Sequence, residues 1–503
     1  MPPSSSKNFN PYRRKIPLRG SSLIEELAEM GLELASKLGA TYADIRFVED
    51  ERRIVRVKNG SPERLSHSIG SGFGVRVIVE GSWGFAGSRD VTPDSVRKTV
   101  EMAVKIARAS ALKSRGEVRL ADTPVVRDTY ETRVRKDPLK VPLEEILDIL
   151  ISADEAFREK SSHVRTTTNS IEARREEKYI ATSEGSRIRQ RIVYCGGSGQ
   201  GIVLKNGLPQ RRSYQINFRT MGYENVEEVD LAERAREAAV EAEALLEART
   251  CPTEIRTDLI LDGAHLGLQI HETIGHGSEL DRVLGTEVDL AGMSFLTLDK
   301  RGKFRYGSEL VNFVADATAE GGLGTFGYDD EGVPAKKVYL VKEGILVGYQ
   351  SSRETAAEIG DEESSGAMRA DSPLHLPLVR MTNINLLPGN WKSDEIIEET
   401  REGILMRGTK MWSIDQMRLN FQFGTEIGWL IKNGEIAEVV RDPTYTGISY
   451  EFWGSVDAIA KDGWTIYGIT GCGKGKPGQV MYVGHGCSRT RIKNVRVGVT
   501  GRL

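Results

Sequence analysis

His271, Glu272 and His276 stand in the apolar run Leu268-Gln269-Ile270-His271-Glu272-Thr273-Ile274-Gly275-His276-Gly277. Two imidazoles beside a carboxylate suit metal-assisted hydrolysis. Imidazole nitrogens bind zinc, and an adjacent carboxylate can take a proton from water that the metal acidifies. Zinc-peptidase helices usually carry the pair at i and i+4, where both face one side. Here the interval is i to i+5, which at 3.6 residues per turn rotates the second side chain roughly 140° from the first. An undistorted α-helix would aim the two apart. A π-bulge, which adds one residue to a turn, restores a common face, and Gly275 gives the backbone freedom to form one or to end the helix. The bland alternative is a core helix with two ordinary histidines. Against it, the chain has only 7 histidines in 503 residues, and two of them bracket a glutamate here.

A catalytic zinc takes three protein ligands and keeps a fourth position for water. His271 and His276 supply two. Glu272 adjoins His271, points elsewhere, and is cast as the general base. The third ligand could be Glu279 or Asp281 just downstream, or a distant thiolate. Of Cys195, Cys251, Cys472 and Cys487, Cys472 is the most ligand-like. It lies in Gly471-Cys472-Gly473-Lys474-Gly475-Lys476, read as a flexible loop whose two lysines favour the thiolate. His485 and Cys487 form the competing pair. Cys195, after Ile192-Val193-Tyr194, reads as a buried strand cysteine.

With these residues the chain resembles the TldD/PmbA metallopeptidases, also called the modulator-of-DNA-gyrase family, and in particular the TldD-type subunit with its H-E-x-x-x-H motif. Asp329-Asp330-Glu331-Gly332-Val333-Pro334, Arg380-Met381-Thr382-Asn383 and Pro388-Gly389 match further family blocks in the same order. The resemblance implies Zn2+ held by His271, His276 and Cys472, with Glu272 activating water. It also implies short peptides or unfolded polypeptides as substrates, held as an added β-strand, and a TldE-like partner subunit in a heterodimer; a homodimer is the other assembly considered. Arg380–Asn385 is one candidate strand edge for that substrate, and a plain interior strand the other reading. His485 and Cys487 fall where the family has no expected ligand, and residues 1–20 form an extension.

Composition narrows the classes. With 69 basic and 72 acidic residues the net charge is -3, which gives no general drive toward nucleic acid or anionic membrane. No apolar run reaches the ~18 residues of a membrane span, and the N-terminus lacks a signal-peptide core, so a cytoplasmic protein is expected. Four unclustered cysteines do not make a disulfide framework. Residues 1–20 carry Lys7, Arg13, Arg14, Lys15 and Arg19 with no acid and read as a solvated basic arm.

The elements that must position the motif follow from period and punctuation. Leu23, Leu27, Met30, Leu34 and Leu38 mark a helix ending at Gly39. Further helices are expected at about 93–111, 142–160, 229–248 and 393–402. Lys58-Asn59-Gly60, Lys205-Asn206-Gly207, Lys342-Glu343-Gly344 and Lys432-Asn433-Gly434 are hairpin corners between β-rich runs. Two glycine clusters, 70–74 and 196–201, have strands after them rather than helices, so corners or bulges explain them better than phosphate binding. The expected fold is α+β with a mainly antiparallel sheet. The divisions are a basic extension at 1–20, an N-terminal α+β domain at 21–125, a middle α+β segment at 126–250, and a β-rich C-terminal domain at 251–503 carrying the metal site. Two rival functions stand beside the peptidase: a binding or regulatory protein with a structural zinc, and a metal-dependent amidohydrolase of small molecules.

Overall fold

Four two-residue corners organise the sheets. Asn59-Gly60, Asn206-Gly207, Glu343-Gly344 and Asn433-Gly434 all have positive φ, from 49° to 81°. That is the left-handed pair a type I′ hairpin needs, and each corner joins two antiparallel strands. The structure, a computed structural model, describes residues 22–113, 116–289 and 292–499. The basic arm expected over residues 1–20 lies outside them.

The first sheet runs in the order Ser82–Ser88, Ser61–Val79, Tyr42–Lys58, Val164–Thr182, Arg187–Lys205 and Arg127–Glu131, with Leu208–Arg219 also paired to Arg187–Lys205. Tyr42–Lys58 lies against Val164–Thr182, so this sheet is continuous from the first helix's segment into the next. Helices Ser22–Lys37 and Pro93–Ala111 bury Ile24, Leu27, Val96 and Val100 against Ile45, Phe47 and Phe73. Helices Leu143–Lys160 and Leu231–Glu247 bury Leu150, Phe157 and Leu246 against Val55, Val57 and Val203.

Several expectations shift in detail. In the first helix the buried face is Ile24, Leu27, Ala28, Gly31, Leu32 and Ala35, whereas Leu23, Met30, Leu34 and Leu38 lie at its margin. Small residues let the helix approach its neighbours closely, and leucine spacing alone could not show that. The helix expected at 393–402 stops after Ser393–Glu398 because Glu402 already opens a strand. The glycine clusters are not corners: both lie within strands, with one irregularity between Cys195 and Gly197. A Cβ on Gly201 would fall 2.0 Å from a Phe157 ring carbon, so glycine there makes room for the covering helix.

In the C-terminal half, Glu402–Ile414, Ile255–Leu261, Thr490–Val499, Pro443–Ile448 and Asn420–Lys432 pair in succession. Pairing of the last with the first closes them into a ring. The helix Gly263–Ile270 leaves one ring strand and returns to the core. Its His265 reaches Thr409 Oγ1 at 3.1 Å and Tyr445 Oη at 3.0 Å, on two other ring strands. A separate hairpin, Thr465–Lys474 with Gln479–Cys487, brings the late cysteines back to this helix.

The block Asp329-Asp330-Glu331 locks the two halves together. Asp330 Oδ2 lies 2.6 Å from Arg46 Nη1 and Oδ1 3.0 Å from Lys178 Nζ, while Glu331 accepts from Arg76 at 3.2 Å. Burial raises the Asp330 pKa, but Arg46 and Lys178 outweigh it and hold it at about 2. A carboxylate so depressed contributes stability above its unfolded pKa of 3.8, and the contribution is lost as pH falls through about 2. Asp330→Ala removes the carboxylate shared by buried Arg46 and Lys178, leaving Lys178 only Glu176 among the described residues, and is expected to cost about 3–5 kcal/mol in urea unfolding. A change below about 1 kcal/mol would show that the lock contributes little.

Candidate metal centre

The i to i+5 spacing is resolved by a π-turn. His271–Gly275 is π-helical, and the His276 N–H donates to the His271 carbonyl, five residues back. The extra residue brings the rings to 4.7 Å between centroids at 82°. Gly275 has an ordinary helical φ of −56°, so it is not used for unusual backbone freedom. Its use is space, since a Cβ there would lie 2.5 Å from Met381 Sδ. Gln350 Nε2 donates to the Gly275 carbonyl at 2.8 Å, pairing a buried group at the end of the turn.

Cys472 completes the group. One ligand atom each from His271, His276 and Cys472 lies within 4.8 Å of the others, and all three residues are buried. Cys472 is part of the strand Thr465–Lys474, just after a register shift from Ile469, and not of a flexible loop. A bulge of this kind re-aims a side chain, and here it accompanies the turn of the sulfur toward the helix. Cys472 Sγ is 3.7 Å from His276 Nε2. Nitrogen and sulfur on one tetrahedral zinc would stand about 3.6 Å apart, given bond lengths near 2.0 and 2.3 Å. The donors therefore fit that ion.

The second nitrogen of each histidine has its own partner. His276 Nδ1 is 2.9 Å from Glu279 Oε2, and because a carboxylate only accepts, the proton sits on Nδ1 and leaves Nε2 toward Cys472. His271 Nδ1 is 2.8 Å from His485 Nε2, leaving His271 Nε2 available. Burial holds both imidazoles below their ordinary pKa, which keeps them in the neutral form that binds metal. Glu279 is in turn 3.4 Å from Lys474 Nζ, which also bonds Asp281 at 2.7 Å. Lys474 thus serves the acids and not the thiolate. Lys476 is exposed and pairs with Asp289.

The four cysteines differ in the charge around them. Burial raises the thiol pKa of Cys195 and Cys251 to about 12 and that of Cys487 higher still. Cys472 is buried too, but Arg380 and His276 outweigh the desolvation and lower its pKa. Arg380 is fully buried and its Nη2 donates to the Cys472 carbonyl. Cys487 points to the Gly263 carbonyl, away from the cluster. Neither Glu279, Asp281, His485 nor Cys487 joins the three ligand atoms.

Glu272 lies beside the group, 2.6 Å from Arg418 Nη1. Arg418, the place of Arg380 beside the thiolate, and the outer roles of Glu279 and His485 were not found from sequence. The offset of three from His276 to Glu279 could have suggested that pair, whereas Arg418 lies 146 positions from Glu272. The segment Arg380–Asn385 is interior: its residues are buried, and Ile384–Leu386 pairs with Phe313–Asp316. That removes it as an open strand edge. Outer partners of metal-binding histidines commonly support affinity, so Glu279→Gln is expected to weaken metal binding about 10–100-fold in chelator competition. Unchanged affinity would exclude that role.

Comparisons with known proteins identify the family. Models of the PmbA/TldA metallopeptidase match domain 1 at residues 43–107, the central domain at 136–246 and the C-terminal domain at 254–499. A metalloprotease of Methanocaldococcus jannaschii is 34% identical over 470 residues, 93% of this chain and 98% of that protein. A zinc metalloprotease TldD homolog of Saccharolobus solfataricus is 26% identical, covering 93% of this chain and 98% of its own. Among solved structures, TldE of Thermococcus kodakarensis aligns over 95% of this chain and 100% of its own, with a TM-score of 0.75 at 17% identity. The α+β architecture is therefore that of these proteins, no helix among the described residues is long and apolar enough to cross a membrane, and the chain belongs to the PmbA/TldD family of metallopeptidases.

Proposed function

We propose that this chain is a zinc-dependent peptidase in which His271, His276 and Cys472 hold the ion and Glu272 is the general base. The convergence of those three donors beside Glu272 carries the reading. A bound zinc ion lowers the pKa of water and polarises a carbonyl. Glu272 takes one proton from the attacking water and returns it to the departing amine, so one water is consumed per peptide bond cleaved. His485 and Glu279 hold the two imidazoles in orientation. Arg380 offsets the buried negative charge of Cys472.

Short peptides or unfolded polypeptides are the proposed substrates, and a TldE-like subunit, in a cytoplasmic heterodimer, the proposed partner. The choice of partner is motivated by the fold that this chain shares with TldE. In the same proposal the chain divides into an N-terminal segment 21–125, a middle segment 126–250 and a metal-binding segment 251–503. A structural zinc would need a fourth protein ligand. The cluster of mutually close donor atoms among the described residues holds His271, His276 and Cys472, while His485 and Glu279 contact the imidazoles' outer nitrogens and Cys487 the Gly263 carbonyl.

The test is cleavage of an unfolded polypeptide and of small amides by the purified chain, alone and with a TldE-like subunit, before and after chelation. The expected result is polypeptide cleavage that chelation abolishes and zinc restores. Cleavage of small amides alone would favour the amidohydrolase, and cleavage indifferent to chelation would contradict a metal-dependent reaction.

A further inference from the structure

We infer that Arg418 is a positioning residue for Glu272, delivered by a backbone conformation that costs the fold stability. Arg418 Nη1 is 2.6 Å from Glu272 Oε2, with the two side chains 15% and 9% exposed. The contact occupies Oε2 and leaves Oε1 for proton transfer. Arg418 sits in the turn between Glu402–Ile414 and Asn420–Lys432 with φ of 64°. Among the described residues, the other non-glycine residues at positive φ are Asn, Asp or Glu. Asn and Asp tolerate that region through local hydrogen bonds, and a long side chain such as arginine gains no such compensation.

The turn is built to hold this conformation. Asp415 accepts from the backbone N–H groups of Leu419 at 2.9 Å and Asn420 at 3.0 Å, and from Asn420 Nδ2 at 2.7 Å. Ser449 Oγ donates to the Arg418 carbonyl at 2.8 Å. A long side chain held at positive φ carries some strain, and here the turn that holds it also brings its guanidinium to a reacting group. The inference rests on Glu272 as base: Arg418 limits the rotamers of a carboxylate that must meet its proton in one geometry.

The test uses the full chain with its metal and the Arg418→Gly variant. Glycine adopts the same φ freely but leaves the nearly buried Glu272 carboxylate unpaired, so only a modest change in Tm is expected, with zinc content unchanged. The turnover number kcat is expected to fall about 100-fold with KM within about 3-fold, and millimolar guanidinium to restore part of it. An absence of rescue, an unchanged kcat, or a loss confined to KM would overturn the inference. Arg418→Lys should retain more kcat than Arg418→Gln, an order independent of any effect of glycine on folding; equal losses would contradict it. An inactive Glu272→Gln beside a fully active Arg418→Gly removes this inference alone, whereas an active Glu272→Gln removes the reading beneath it.

Discussion

Glu272→Gln is expected to keep its zinc and lose about 10³-fold or more in kcat, because the amide occupies the same volume but cannot accept the proton from water. The substitution also leaves Arg418 without its carboxylate, so a modest change in stability should accompany it. Metal analysis on the same preparation separates the two effects. Bound zinc with no turnover identifies the proton acceptor, and full turnover rejects the role.

The second large effect distinguishes sulfurs that look equivalent in the sequence. Cys472→Ala should abolish zinc binding and activity together, since it removes one of three converging donors and exposes Arg380 to an uncompensated buried environment. Cys487→Ala should keep zinc at full occupancy. That thiol is buried, faces the Gly263 carbonyl and is driven toward its protonated form. Atomic absorption on the two variants checks the contrast. Zinc retained by Cys472→Ala and lost by Cys487→Ala would reverse the assignment.

The site was legible where its information is local. His271, Glu272, Gly275 and His276 lie within six residues, and helical geometry alone requires a local irregularity, a π-turn or a helix end, if the pair is to share a face. The hairpin corners were legible for the same reason, because each depends on two residues with positive φ. Cys472 could be singled out by its neighbours but not placed. Gly471 and Gly473 suggest a loop, whereas pairing with Gln479–Cys487 makes the segment a bulged strand. Lys474 shows the same limit, since its carboxylate partners Glu279 and Asp281 are almost two hundred positions earlier.

The first helix adds a different lesson. Its leucines predicted the element, while Ala28, Gly31 and Ala35 decide which face is buried. Volume at a contact depends on the neighbour, here Val96, Val100 and Ile45, and no periodicity in one segment contains it. Arg418 is the extreme case. Nothing near it in sequence marks it, and only the closed ring of strands and the turn after Ile414 carry it to Glu272.

X-ray absorption at the zinc edge of the purified chain tests the central claim most directly. The account predicts one sulfur at about 2.3 Å, two imidazole nitrogens at about 2.0–2.1 Å and one further light atom from solvent. A first shell without sulfur, with two sulfurs, or closed by a third imidazole would contradict it.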